Sequence, residues 1–158
     1  MADALAGRYA RIRTQLAELF AGYDQGLDAT ARMASIVALL HHKMPHFSWT
    51  GFYRWTGADL VVGPYQGPLA CAVLKRGRGV CLRCVETGQA VRVDDVHAFE
   101  GHIACDSRSR SEVVVPVRRD DRLVAVLDVD SVRPAAFTST DIAGLEAITA
   151  LVYPEQSA

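Results

Sequence analysis

Six residues that could do chemistry lie in one stretch of the chain, residues 63–131. In chain order they are Cys71, Cys81, Cys105, Glu112, Asp128 and Asp130. A cysteine thiolate can attack an electrophilic sulfur atom and carry electrons as a disulfide, and carboxylates attract an ammonium group. We therefore expect a thiol-dependent reductase whose substrate is a small cation or zwitterion.

Two of the acids end a predicted strand. Apolar residues alternate over residues 123–130, so Asp128 and Asp130 would share one face of the strand, about 7 Å apart. We expect Val124 and Val126 to share that face. A lone Asp-x-Asp is more often a solvated strand end than a site.

Glu112 opens another apolar stretch, residues 112–117. If this strand pairs with the Asp128 strand through the turn at residues 118–122, Glu112 lies opposite the end that carries Asp128 and Asp130. Three converging carboxylates repel one another, so at least one should have a raised pKa and hold a proton, while the others attract an ammonium group. This arrangement favours a pocket over a solvated strand end.

Cys81 follows Arg78 and Gly79 at the predicted start of a short helix, where the helix dipole and the arginine would favour the thiolate. Cys84 lies three residues later on the same helix face. A Cys-x-x-Cys pair is also typical of half a zinc site or of a thioredoxin-like motif. The βαβ unit of that motif is missing, and the further zinc ligands available form no standard second pair: His97, His102, Cys71 and Cys105. We therefore expect no metal.

The elements around these residues indicate an α+β fold. Apolar residues recur at helical spacing in residues 1–44 and break between Gly22 and Asp28, which predicts two N-terminal helices. Short stretches rich in β-branched and aromatic residues follow, which predicts a mainly antiparallel sheet. Residues 139–152 read as a C-terminal helix capped by Thr138 or Ser139. We expect one domain over residues 1–158, with the sheet, pocket and last helix in residues 47–152.

Composition narrows the class of partner. The 158 residues carry 17 basic and 18 acidic side chains and a net charge of −1, so no basic face favours nucleic acid or a membrane surface. The N-terminal segment has no uninterrupted apolar run typical of a signal peptide or membrane span. We expect a cytoplasmic protein, in which four cysteines indicate reactive thiols rather than structural disulfides. Cys105 belongs to a polar loop, and cysteines in such loops are more often reactive than structural.

The chain also carries a series of motifs that belong together. They are Trp49-Thr-Gly-Phe-Tyr53, Gly63-Pro-Tyr-Gln-Gly67, Ala70-Cys71, Gly77-Arg-Gly-Val-Cys81, Asp95-Val-His97, Gly101-His-Ile-Ala-Cys-Asp106, Ser111-Glu-Val-Val-Val-Pro116 and Leu127-Asp-Val-Asp-Ser131. In these the chain resembles the free methionine-(R)-sulfoxide reductases, a GAF-domain family. The resemblance implies a six-stranded sheet flanked by helices on both faces, a homodimer, and a closed pocket for free methionine sulfoxide.

The resemblance also implies roles for individual residues. Cys105 matches the attacking cysteine, Cys71 the cysteine that resolves it, and Cys81 a third thiol whose role varies. The remaining matches form the wall of the pocket: the acids Glu112, Asp128 and Asp130, and the aromatic residues Trp49 and Tyr53. No cofactor is implied, because thioredoxin or another external dithiol would reduce the enzyme's disulfide.

Two departures from the family pattern keep alternatives open. Cys84 adds a fourth thiol, and Arg108 and Arg110 add guanidinium groups that could lower the pKa of Cys105 or pair with the pocket acids. Cys71 lies in a loop or short strand with room to move, which favours a Cys71–Cys105 disulfide, but Cys81 stays open as a partner of either Cys105 or Cys84. A GAF-type sensor that binds a small molecule without converting it is the alternative function.

Overall fold

The computed structural model describes residues 2–23, 26–103 and 105–154. Its elements are α1 (Ala2–Ala21), α2 (Ala29–Lys43), β1 (Trp49–Trp55), β2 (Leu60–Gln66), β3 (Val73–Leu74), α3 (Val80–Thr87), β4 (Val91–Val93), β5 (Ser111–Arg119), β6 (Arg122–Ser131) and α4 (Ser139–Thr149). Two N-terminal helices are present, as predicted, and they end and begin at Ala21 and Ala29 on either side of the predicted break. Residues 1 and 155–158, the outer ends of the predicted domain, lie outside the described residues.

The strands form one six-stranded sheet in the order β3-β2-β1-β6-β5-β4. Every neighbouring pair is antiparallel. The predicted fold class is therefore confirmed. The short strand β3 has only two residues and therefore shows no alternation in the sequence.

Helices cover both faces of the sheet, as expected. On one face α1, α2 and α4 pack a core that includes Leu16, Ile36 and Leu145, all less than 2% exposed. On the other face α3 packs its buried residues against Val114 and Val126. Odd and even residues of β5 and β6 therefore enter different cores, which leaves Glu112, Asp128 and Asp130 on the α3 face.

One predicted neighbour of the acids lies on the wrong face. Val124 packs against the core under α1, α2 and α4, not beside Val126 and Asp128. The cause is an irregular register: Val117 pairs with Ala125 and Arg118 with Leu123, so Val124 has no partner across the ladder. An extra residue of this kind shifts the alternation of side chains.

Capping residues set the ends of the helices. The Asp28 side chain accepts a hydrogen bond from the backbone N–H of Ala31 at the start of α2. Thr138 and Asp141 form a capping box at the start of α4, and the buried Tyr9 hydroxyl of α1 donates to Asp141 at 2.8 Å. Among the described residues, no helix is both long and apolar enough to cross a bilayer.

Candidate active site

A pocket opens between the α3 face of the sheet and two loops. It measures about 580 Å³, counting its mouth toward solvent. The floor comes from β1, β5 and β6, one side from the start of α3, and the rim from the loop before β3 and the loop before β5. Its lining includes seven of the eight predicted site residues: Trp49, Tyr53, Cys81, Cys105, Glu112, Asp128 and Asp130.

The three acids converge at the bottom of this pocket. Glu112 pairs with Asp130 across β5 and β6, and Asp128 lies two residues away on the same face. Glu112 and Asp128 are 5% and 6% exposed. The strand end is therefore buried under α3 and the loops rather than solvated, because the helix covers the face on which alternation places these side chains.

Burial changes the protonation of all three carboxyls. Loss of hydration, followed by repulsion from Asp128 and Asp130, raises the pKa of Glu112 well above its ordinary range. Loss of hydration and repulsion from Asp128 do the same to Asp130. Burial raises the pKa of Asp128 to about 7, although contacts with Cys81 and Glu112 oppose the change. Asp128 is thus the acid that ionises most easily, and the raised pKa values of Glu112 and Asp130 favour their protonated forms.

Asp128 also has an unsatisfied atom. Its Oδ1 is buried and has no hydrogen-bond partner among the described residues. An unpaired buried carboxylate oxygen costs free energy, and in native proteins such atoms are uncommon. The oxygen is therefore available to a donor or cation that enters the pocket.

Cys81 lies beside these acids and is not a thiolate. It is the second residue of α3, as predicted, but it is only 3% exposed. Burial and repulsion from Asp128 and Glu112 raise the pKa of this thiol well above its ordinary value. The predicted ionisation is wrong, because desolvation and neighbouring anions outweigh the dipole of an eight-residue helix.

A disulfide joins Cys71 to Cys105, with Cα atoms 5.6 Å apart. This is the predicted pairing, and it leaves Cys81 and Cys84 as free, buried thiols. Both bonded cysteines lie in loops, which allows their approach. Cys105 lines the pocket that contains the acids, whereas Cys71 lines a neighbouring groove on the outer side.

Cys84 takes no part in the pocket. It lies on the buried face of α3, where burial raises its pKa to about 12. Among the described residues, the one group of side chains that brings possible metal ligands together is Cys81, Glu112 and Asp128, whose ligand atoms lie within 4.8 Å of one another. The Cys-x-x-Cys sequence therefore does not act as a pair of ligands.

The arginines near Cys105 do not reach the pocket acids. Arg108 forms a bidentate ion pair with Asp106, with N–O distances of 3.1 and 3.0 Å. This pairing lowers the pKa of Asp106. Arg110 is exposed. The suggested pairing of these guanidinium groups with the pocket acids is wrong for Arg108, because an acid two residues away in its own loop satisfies it.

Aromatic rings form one wall. The Trp49 ring stacks between Tyr53 and Tyr65, with centroid distances of 5.7 and 5.4 Å. Its Nε1–H donates to the carbonyl of Pro68 at 3.1 Å. The Tyr53 hydroxyl donates to the carbonyl of Cys71 at 3.0 Å. The aromatic wall therefore holds the loop that carries Cys71.

Two further polar residues line the pocket: His102, which the sequence suggested only as a possible zinc ligand, and Ser109, which it did not single out. His102 Nδ1 lies 3.8 Å from Glu112 Oε2, and Ser109 is buried beside Asp130, whose ionised form it favours. Burial lowers the pKa of His102, so the neutral ring faces Glu112 at neutral pH. The sequence feature that could have identified both residues is their closeness to Cys105, because one loop carries all three residues.

Comparison with known proteins places this site in a family. A GAF domain model matches residues 25–152. The free methionine-R-sulfoxide reductase of Escherichia coli is 40% identical over 142 residues, which cover 90% of this chain and 84% of that protein.

Two solved structures are also similar over nearly the whole chain. The free methionine-R-sulfoxide reductase of Neisseria meningitidis, in complex with its substrate, is 39% identical, with a TM-score of 0.86 and coverage of 93% of this chain and 87% of that chain. The reduced form of fRMsr from Staphylococcus aureus is 36% identical, with a TM-score of 0.85 and coverage of 94% and 95%. Together with the acid pocket and the Cys71–Cys105 disulfide, these likenesses show that the chain belongs to the free methionine-R-sulfoxide reductase family of GAF domains.

Proposed function

We propose that this protein reduces free L-methionine (R)-sulfoxide to L-methionine. The observation that carries the proposal is the place of Cys105, which lines a pocket of buried acids and is bonded to Cys71 outside it. The relatives in Escherichia coli and Neisseria meningitidis bear the name of this activity, and the Neisseria protein was solved with its substrate. The structure accordingly represents the oxidised end of the cycle.

The chemistry begins with the reduced protein. The Cys105 thiolate attacks the sulfoxide sulfur, and a pocket carboxyl protonates the oxygen. This attack forms a sulfur–sulfur bond to the substrate, and its protonated oxygen leaves as water when the sulfur–oxygen bond breaks. A water molecule then attacks the Cys105 sulfur and breaks the new sulfur–sulfur bond, which releases methionine and leaves Cys105 as a sulfenic acid. The Cys71 thiol then attacks the Cys105 sulfur and displaces that oxygen as water. Two electrons pass from two thiols to one sulfoxide, and the product is the observed disulfide.

The acids divide this work according to their protonation. Asp128 ionises most readily, and its unpaired Oδ1 is suited to accept a hydrogen bond from the substrate's ammonium group. The raised pKa values of Glu112 and Asp130 favour their protonated forms, which can donate a proton to the sulfoxide oxygen. The Trp49 ring offers a surface for the thioether end, since sulfur beside an aromatic ring gains about 1 kcal/mol.

Regeneration requires an external dithiol, and we propose thioredoxin. Cys105 is exposed while bonded to Cys71, so an incoming thiolate can attack the disulfide by exchange. No cofactor is needed for this exchange. The relay needs a reducing compartment, and the cytoplasm supplies one.

We further propose that the protein is a homodimer. Leu19 and Tyr23, 45% and 57% exposed near the end of α1, provide apolar surface that a second copy would cover. Light scattering is expected to give twice the mass of one chain.

The decisive experiment measures consumption of free methionine (R)-sulfoxide with dithiothreitol, with the S epimer as control. We expect turnover of the R epimer alone. Cys105→Ser should abolish turnover, whereas Cys84→Ser, a change outside the pocket, should keep most of it. Release of methionine by Cys105→Ser at near the parent rate would remove the attacking role of Cys105. Binding of the sulfoxide without any turnover would instead support the GAF-type sensor.

A further inference from the structure

We propose that the floor of the pocket is also a zinc-binding site, made by Cys81, Glu112 and Asp128, and that zinc and the substrate exclude each other. Ligand atoms of these three side chains already lie within 4.8 Å of one another. They come from three separate elements, α3, β5 and β6, which the sheet and the overlying helix hold together. The geometry is therefore a property of the fold and not of one flexible loop.

The chemistry of the three ligands suits zinc better than the other common cations. Zinc accepts a thiolate together with carboxylate oxygens in four-coordinate sites. Magnesium and calcium prefer sites made only of oxygen ligands, so a thiolate among the three ligands disfavours both ions. Three protein ligands leave one position for a water molecule.

The distances require only small movements. Ligand atoms around tetrahedral zinc lie about 3.5 Å apart, so atoms within 4.8 Å of one another need shifts of about 1 Å or less. Glu112 and Cys81 are 5% and 3% exposed, so a metal held there would be shielded from competing water. Rotation of the three side chains is enough to close such a site, because their ligand atoms already lie within 4.8 Å of one another.

A second observation points independently to a bound cation. Asp128 is 6% exposed, lines the pocket, and its Oδ1 has no hydrogen-bond partner among the described residues. A metal ion would satisfy this oxygen, as the substrate's ammonium group would under the proposed function. Both cations need the same carboxylate oxygen, and for this reason their binding is mutually exclusive.

The site remains available in the oxidised protein. With Cys71 and Cys105 bonded to each other, neither can act as a thiolate ligand, and Cys81 stays free. Zinc would therefore occupy the pocket of the form that awaits reduction. The Cys-x-x-Cys sequence is not the chelate, since Cys84 lies outside the three-ligand group.

Cobalt(II) is the probe for metal binding, because it binds at zinc sites and its bond to a thiolate gives a charge-transfer absorption band. The oxidised protein should bind one equivalent of cobalt with this band, and zinc should displace it. Cys84→Ala, a buried cysteine on the same helix, should behave like the parent. Cys81→Ser should lose the band and bind at least about tenfold more weakly. Glu112→Gln keeps the thiol and should weaken binding by a similar factor, with the fold checked by circular dichroism.

The proposed zinc site would be refuted if the parent protein showed no thiolate-to-cobalt band. It would also be refuted if Cys81→Ser still showed that band. Loss of the band in Cys84→Ala would show that the Cys-x-x-Cys pair binds the metal instead. Saturating methionine sulfoxide should remove the band, whereas glycine, which chelates free cobalt similarly, should not. A band unaffected by the sulfoxide would refute mutual exclusion. Because the oxidised protein does not turn over, these readings are independent of the reductase assay, and either proposal can fail while the other stands.

Discussion

Replacing Asp128 by asparagine should make the protein more stable at neutral pH while removing its function. The pKa of Asp128 rises from an ordinary 3.8 to about 7. The difference is about 3 pKa units, and each unit corresponds to about 1.4 kcal/mol, so ionised Asp128 costs the fold about 4 kcal/mol. Asparagine keeps the shape of the side chain and has no charge to bury.

The pH dependence follows from which state binds more protons. Between about pH 4 and about pH 7 the unfolded chain has lost the Asp128 proton and the folded protein has kept it, so the free energy of unfolding falls as pH rises. Above about pH 7 this contribution is constant. Asp128→Asn has no carboxyl at this position and therefore no such pH dependence. The difference in free energy of unfolding between this variant and the parent should therefore grow by about 3 kcal/mol between about pH 5 and about pH 8.

Urea unfolding of the oxidised proteins at those two pH values measures this difference. Asp120→Asn is the matched control, since the side chain of Asp120 is 94% exposed in a turn, and its stability should follow that of the parent. The reasoning is refuted if the parent and Asp128→Asn lose or gain stability in parallel over this range, because Asp128 would then not titrate there.

Three further outcomes are expected. N-acetylated methionine sulfoxide should be a poor substrate, with kcat/KM at least about tenfold below that of the free amino acid, because it has no ammonium group for Asp128; equal rates would contradict the role of the acids. One equivalent of sulfoxide without reductant should yield one methionine and the Cys71–Cys105 disulfide by peptide mapping, and a Cys81–Cys84 bond would show a different relay. Gly51→Ala should raise KM and destabilise the fold by about 1–3 kcal/mol, since its Cβ would collide with Trp49 and Tyr65; an unchanged KM would show that the aromatic wall does not contact substrate.

The sequence was informative where a pattern extends over many residues. Alternation in β5 and β6 was long enough to place Glu112, Asp128 and Asp130 on one face, and the structure agrees. The polar residues around Cys105 predicted its loop position, whereas Cys71 was expected in a loop or a short strand and lies in a loop. The predicted disulfide depended on the family resemblance as well as on these loops.

The sequence could not predict features that depend on how deeply a side chain is buried. The protonation of Cys81 is decided by how far α3 buries it against the acids, and a sequence does not state that depth. The irregular register at Val124 places its side chain on the opposite face of the sheet, and no glycine in the sequence indicates this irregularity. His102 enters the pocket only because its loop folds back over β5, a contact between elements.

The bond between Cys71 and Cys105 has a consequence for how long the protein persists. It closes a segment of 34 residues, and a crosslink over that length restricts the unfolded chain enough to stabilise the fold by about 4 kcal/mol. The spent enzyme is thus harder to unfold and degrade than the enzyme ready to react. When the external dithiol is scarce, the disulfide form of the protein would accumulate and resist degradation. Reduction of that disulfide would then restore activity without synthesis of new protein.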